Sequence, residues 1–172
     1  MSSDPARVPV RRNSLLLCLG LSALLASCQV RPLYDDSAAT RESLGAIAYS
    51  DADSRVELEV RNQLIFMTGG GAGEPASPQY RVQLSVSSST GEVLVNQSSV
   101  ASAGRVVVSG AYTLQRVSDG TILKAGRRQA VSLVDFPAQQ FAKLRAIRDA
   151  ENRAARELAE LIRVDLAMVL GR

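Results

Sequence analysis

Apolar and polar positions change their period several times along this chain, and each change marks an element. Residues 15–25 are almost wholly apolar. Residues 28–43 are polar, carry Pro32 and the pair Asp35-Asp36, and show no period, which reads as a tether. Residues 44–49 are a short apolar run that reads as a first strand. Val56, Val60, Leu64 and Met67 then recur at spacings of four, four and three, which puts them on one face of a helix ending near Met67. Asp51, Asp53 and Ser54 supply N-cap chemistry for it, and Glu57 stands three residues after Ser54, as in a capping box. The run Gly69-Gly70-Gly71-Ala72-Gly73, followed by Pro75 and Pro78, ends the helix in a loop.

Beyond the loop the period becomes two. Tyr80, Val82, Leu84 and Val86 alternate with Arg81, Gln83 and Ser85, which predicts a strand with one buried face. The serine-rich stretch 87–99 has Gly91 as its expected turn. A long β-prone run follows over residues 105–117, with Val106, Val108, Tyr112 and Leu114 on one parity. Ser118-Asp119-Gly120 is a hairpin signal. The return strand spans 121–134, with Leu123, Ala125, Val131 and Leu133 on the expected buried face. Arg127 and Gln129 interrupt that face, so either the strand bends there or these side chains meet something polar. After Pro137, Phe141, Leu144, Ile147, Ala150, Ala154, Leu158, Leu161, Ile162, Val169 and Leu170 mark a long amphipathic helix. Arg153 with Glu157 and Arg156 with Glu160 are its i,i+4 pairs, and Asp165 near the apolar stripe marks where it leaves the core. The order β-α-β-β-β-α predicts an α+β domain over residues 44–172, two helices on one face of a roughly four-stranded mixed or antiparallel sheet.

The first apolar run has a different meaning. Arg7, Arg11 and Arg12 precede it, and Leu25-Ala26-Ser27-Cys28 closes it. A basic region, a short apolar region and a small-residue site make a secretory signal over residues 1–27. The run is far shorter than the roughly 18 residues needed to cross a bilayer. The cysteine after Leu-Ala-Ser resembles a bacterial lipoprotein signal, which implies Cys28 as the lipidated first residue and 28–43 as a lipidated tether. Arg11-Arg12 leaves twin-arginine export open beside the general route. Gln29, where an aspartate often holds lipoproteins at the inner membrane, favours sorting to the outer one.

Processing also changes the charge. The chain carries a net +3, but losing Arg7, Arg11, Arg12 and Asp4 leaves +1. Residues 28–59 are mainly acidic. Residues 80–134 hold Arg81, Arg105, Arg116, Lys124, Arg127 and Arg128 against Glu92 and Asp119, which hints at an anionic partner.

Little catalytic chemistry is on offer. There is no histidine, and the two cysteines are Cys18, in the signal, and Cys28. Imidazole acid–base work, imidazole metal ligation and thiol nucleophiles therefore drop out. Ser109 lacks the glycines of a nucleophile elbow. Asp51 and Asp53 read as capping residues, since no calcium-loop spacing follows. The glycine run lacks the Lys-Ser/Thr of a phosphate loop. Thinly spread cations and few aromatics argue against nucleic acid. The expectation is a binding or assembly protein, not an enzyme, with no cofactor and no metal.

Several short words carry a family resemblance: Cys28-Gln29-Val30-Arg31-Pro32-Leu33-Tyr34, Val60-Arg61-Asn62-Gln63-Leu64, Ala111-Tyr112-Thr113-Leu114, and the alanine- and arginine-rich stretch around Asp149-Ala150-Glu151-Asn152-Arg153. Together with the element order they resemble the LptE family, lipoproteins of the outer-membrane lipopolysaccharide (LPS) translocon. Many members begin Cys-Gly-Phe, from which Gln29-Val30 departs. The resemblance implies a two-helix, four-stranded sandwich that plugs an LptD-like β-barrel, assists its assembly and contacts LPS. The basic side chains Arg105, Arg116, Lys124, Arg127 and Arg128 are the candidates for anionic contact. Solvation, or pairing with barrel carboxylates, is the plainer reading of the same five. The rival reading is an auxiliary lipoprotein of an ABC-type lipid transport system. Its partner would be a transporter or a periplasmic lipid carrier.

Overall fold

The computed structural model describes residues 38–94 and 101–171. The expected signal segment, Cys28 and the first part of the tether lie outside them. The element order is α1 (Ala38–Gly45), β1 (Ile47–Tyr49), α2 (Arg55–Gly69), β2 (Tyr80–Leu94), β3 (Ala101–Arg116), β4 (Ile122–Pro137) and α3 (Gln140–Leu170). The four strands form one sheet in the order β1-β2-β3-β4. β1 and β2 run parallel, joined by α2 as the crossover that parallel strands require. β2, β3 and β4 are antiparallel neighbours. This is the expected α+β layout, with α1 added.

The additional helix corrects the reading of residues 38–43 as tether. Ala38-Ala39-Thr40-Arg41-Glu42 are adequate helix formers, and Leu44 and Thr40 are buried. The apolar run 44–49 therefore divides into a helix end and the three-residue strand β1.

α2 begins where the cap signal put it. Ser54 is extended, and its hydroxyl accepts the Glu57 N–H at 3.2 Å. Gly70 closes the helix in the left-handed region at φ 59°, a conformation that costs glycine nothing. Ser54→Ala should lower stability by about 1 kcal/mol, read as a reduced urea midpoint at unchanged slope.

Both helices cover the same face of the sheet. α2 buries Val56, Val60 and Leu64, and α3 buries Ala150, Ala154, Ala155, Leu158, Ala159, Ile162 and Leu166. Val82, Leu84, Val106, Val108, Tyr112 and Leu114 complete the core from β2 and β3. Alternation along these strands leaves an opposite face over which no helix lies among the described residues.

Two expectations fail in the strands. Gly91 is not a turn; it lies within β2, opposite Arg105. In β4 the buried parity is Ala130, Ser132, Val134 and Phe136, while Val131 and Leu133 are 44% and 73% exposed. The cause is a register shift at the β3–β4 hairpin. Gln115 faces Ile122, yet Leu114 faces Lys124, so Leu123 is an extra residue and every later side chain changes face.

In α3, Arg153 pairs with Asp149 rather than with Glu157. No helix among the described residues is long and apolar enough to cross a membrane.

Candidate functional site

The uncovered face of the sheet is built from the odd-numbered residues of β2, β3 and β4. Reading across the three strands, its rows are Gln83–Thr113–Ala125, Ser85–Ala111–Arg127, Ser87–Ser109–Gln129, Ser89–Val107–Val131 and Gly91–Arg105–Leu133. Arg81, opposite Gln115, closes the β2 side. These side chains are mostly small, which makes the face smooth. Its middle is polar, and Val107, Val131 and Leu133 make one end apolar.

Charge on this face has one sign over most of its length. Arg81, Arg105 and Arg127 project from it, and no carboxylate belongs to the rows between Arg81 and Leu133. Asp135, opposite Ala103, is the acidic residue at the far end. Among the described residues, none of the three arginines forms an ion pair or a side-chain hydrogen bond. Arg105 and Arg127 stand six positions apart in register, about 20 Å at strand rise. That separation rules out one phosphate clamped by both. It suits a broad surface carrying anionic groups.

The five candidate cations therefore do not form one cluster. Arg105 and Arg127 are on the open face. Arg116, Lys124 and Arg128 have the parity of the helix-covered face. Arg116 is tied into the hairpin by Asp119 at 2.9 Å. Asp119 also accepts the Thr121 N–H, and these bonds, the Thr121 backbone first, hold its carboxyl below the usual range.

Arg128 belongs to a polar group that joins β3, β4 and α3. Its Nε and Nη2 donate to the two carboxylate oxygens of Asp165 on α3, at 2.7 and 2.6 Å. The buried Tyr112 hydroxyl donates to the same carboxylate at 2.5 Å. Asp165 is 3% exposed, and the Arg128 hydrogen bonds lower its carboxyl below the ordinary carboxylate value. Burial, and then the hydrogen bond to Asp165, raise the Tyr112 phenol. Asp165 is thus a core residue that fastens α3 to β3 and β4, not the point where the helix leaves the core. A lone carboxylate inside an apolar stripe was its signal in the sequence. Its pairing with Arg128 is set by the extra residue at Leu123, which puts Arg128 on the helix-covered face.

Comparisons with known proteins bear on the fold. No protein-family model and no curated protein matches the chain. Among solved structures, a candidate lipoprotein from Caulobacter crescentus superposes with a TM-score of 0.60 at 23% identity, over 78% of this chain and 97% of its own. A rare lipoprotein B from Shewanella oneidensis gives 0.47 at 12% identity, over 71% of this chain and 90% of its own. A minor lipoprotein from Acinetobacter baumannii gives 0.45 at 10% identity, over 71% and 88%. The Caulobacter likeness establishes a shared fold.

Proposed function

We propose that this chain is an outer-membrane lipoprotein, anchored through Cys28 on the periplasmic side, that plugs an LptD-like β-barrel of the LPS translocon and assists its assembly. The observation that carries this reading is the smooth sheet face that, among the described residues, no helix covers and that bears Arg81, Arg105 and Arg127 without ion-pair partners. Such a face packs against a wall of β-structure, and its arginines meet carboxylates or phosphates through charge-assisted hydrogen bonds. The lipobox-like Leu25-Ala26-Ser27-Cys28 and the fold shared with the Caulobacter candidate lipoprotein support the anchored role. Plugging requires no catalysis, in keeping with a chain that has no histidine. Contact with LPS phosphates falls to Arg105 and Arg127, since Arg116 and Arg128 already hold carboxylates.

The test is to solubilise membranes in mild detergent and recover a C-terminally tagged copy with whatever accompanies it. A stoichiometric outer-membrane β-barrel retained at high salt is the expected result. The triple reversal Arg81→Glu, Arg105→Glu, Arg127→Glu should reduce its recovery about tenfold while leaving the melting temperature within a few degrees. Recovery of transporter subunits or a periplasmic lipid carrier without a barrel would overturn this reading in favour of the ABC-auxiliary role.

A further inference from the structure

β4 ends the sheet, and no strand among the described residues pairs with its outer side. Edges of this length are normally blunted by charge, bulges or a covering element. The lower half of β4 is blunted so, with the exposed cations Lys124 and Arg128 on the parity of the helix-covered face and Arg127 on the open one. The upper half is not. Residues 130–136 carry one charge, Asp135, and are otherwise rich in β-forming side chains. Their guard is one side chain from α3: Arg153 donates to the Ser132 hydroxyl and to the Leu133 carbonyl, each at 3.1 Å. That contact also places the Leu133 carbonyl on the outer edge. In a regular antiparallel strand, residues 127, 129, 131, 133 and 135 then all turn their N–H and C=O groups outward.

We propose that this edge pairs with the same edge of a second copy, antiparallel, with Val131 on the two-fold axis. The charges select that register. With Val131 opposite itself, Gln129 faces Leu133 of the other copy and Arg127 faces Asp135, twice by symmetry. All five residues have outward backbone groups and side chains on the open face. Sliding either strand by two positions places Arg127 opposite an uncharged residue and leaves Asp135 without a cation. Arg127 and Asp135 are both exposed, and neither forms an ion pair among the described residues. The interface is isologous and closed, and joins two four-stranded sheets into one of eight. On pairing, Arg153 releases the Leu133 carbonyl to the Gln129 N–H of the other copy and keeps its pair with Asp149. The inference does not depend on the barrel reading; it concerns the protein before any partner is met.

The experiment uses the full lipid-anchored chain, extracted from membranes in detergent and followed by sedimentation equilibrium over a range of concentrations. A monomer–dimer equilibrium is expected, and a monomer throughout would overturn the proposal. The anchored chain has lost Cys18 with its signal and carries its lipid on Cys28, so Val131→Cys supplies its one free thiol and should form an intermolecular disulfide under mild oxidation. Hydrogen-bonded pairs stand about 5.5 Å apart at Cα, within disulfide reach. Ser87→Cys, on the same face but two strands inward, should not cross-link. Arg127→Glu or Asp135→Arg alone should weaken dimerisation about tenfold, and the two together should restore it. A dimer indifferent to the single reversals, or one that the double reversal fails to rescue, would overturn the proposed register.

Discussion

Replacing Asp165 with alanine should cost about 3 kcal/mol and lower the melting temperature by roughly 10 °C. The substitution removes the two hydrogen bonds from Arg128 and leaves the buried Tyr112 hydroxyl with nothing to donate to. Arg128 is half exposed and can turn to water, so the loss is concentrated on Tyr112 and on the tie between α3 and the sheet. The wild-type pH dependence follows from the same contacts. The folded carboxyl lies below its unfolded value near 4, so its contribution is present above that pH and is lost as the pH falls through the folded value. Arg128→Met should reverse the sign. Without its principal partner the Asp165 carboxylate is left in a desolvated site, which raises the folded value, so acidification through it should then relieve the loss. Urea unfolding of wild type, Asp165→Ala and Arg128→Met between pH 3 and 7 would show all three behaviours. Identical acid profiles for wild type and Arg128→Met would refute this account of the network.

Much of this arrangement is legible without coordinates, and what is not has one physical origin. Period two over residues 80–86 and 106–114, and period 3.6 over 56–67 and 150–166, follow directly from which residues are buried. The Ser118-Asp119-Gly120 turn is found with Gly120 at φ 71°, as its chemistry requires. The faces of β4 are a different matter. Leu123, Ala125, Val131 and Leu133 on one parity compete with Ala130, Val134 and Phe136 on the other, and composition cannot choose between them. Without the extra residue at Leu123, Leu114 would face Leu123 and the first parity would be buried. With it, Leu114 faces Lys124. A single bulge therefore decides that Arg128 meets Asp165 and that Val131 and Leu133 lie on the open face. The candidate interface was hidden by the same step. Its three arginines are visible in the sequence, but grouping Arg105 and Arg127 apart from Arg128 requires the register.

The bulge also brings Gly126 beneath Tyr112, and Gly126→Val should prove nearly as damaging as the loss of Asp165. These two residues are direct cross-strand partners on the covered face. A Cβ at position 126 would stand 2.6 Å from the Tyr112 hydroxyl oxygen, 2.8 Å from Cζ and 3.0 Å from Cε1. The ring cannot retreat without giving up Asp165, because that hydroxyl is held at 2.5 Å from the carboxylate. Overpacking at this point therefore removes a charge-assisted hydrogen bond as well as straining β4, for a combined cost of about 2–3 kcal/mol. Coupling separates this mechanism from a general intolerance of valine in the strand. In a Tyr112→Ala background the space is open, so adding Gly126→Val should cost far less than in wild type. The cost should vanish or turn into a small gain there, since valine favours strands more than glycine does. Chemical denaturation of the two single variants and the double variant gives the interaction energy directly. Additive losses would mean that Gly126 is required for the backbone of β4 and not for the ring that lies across it.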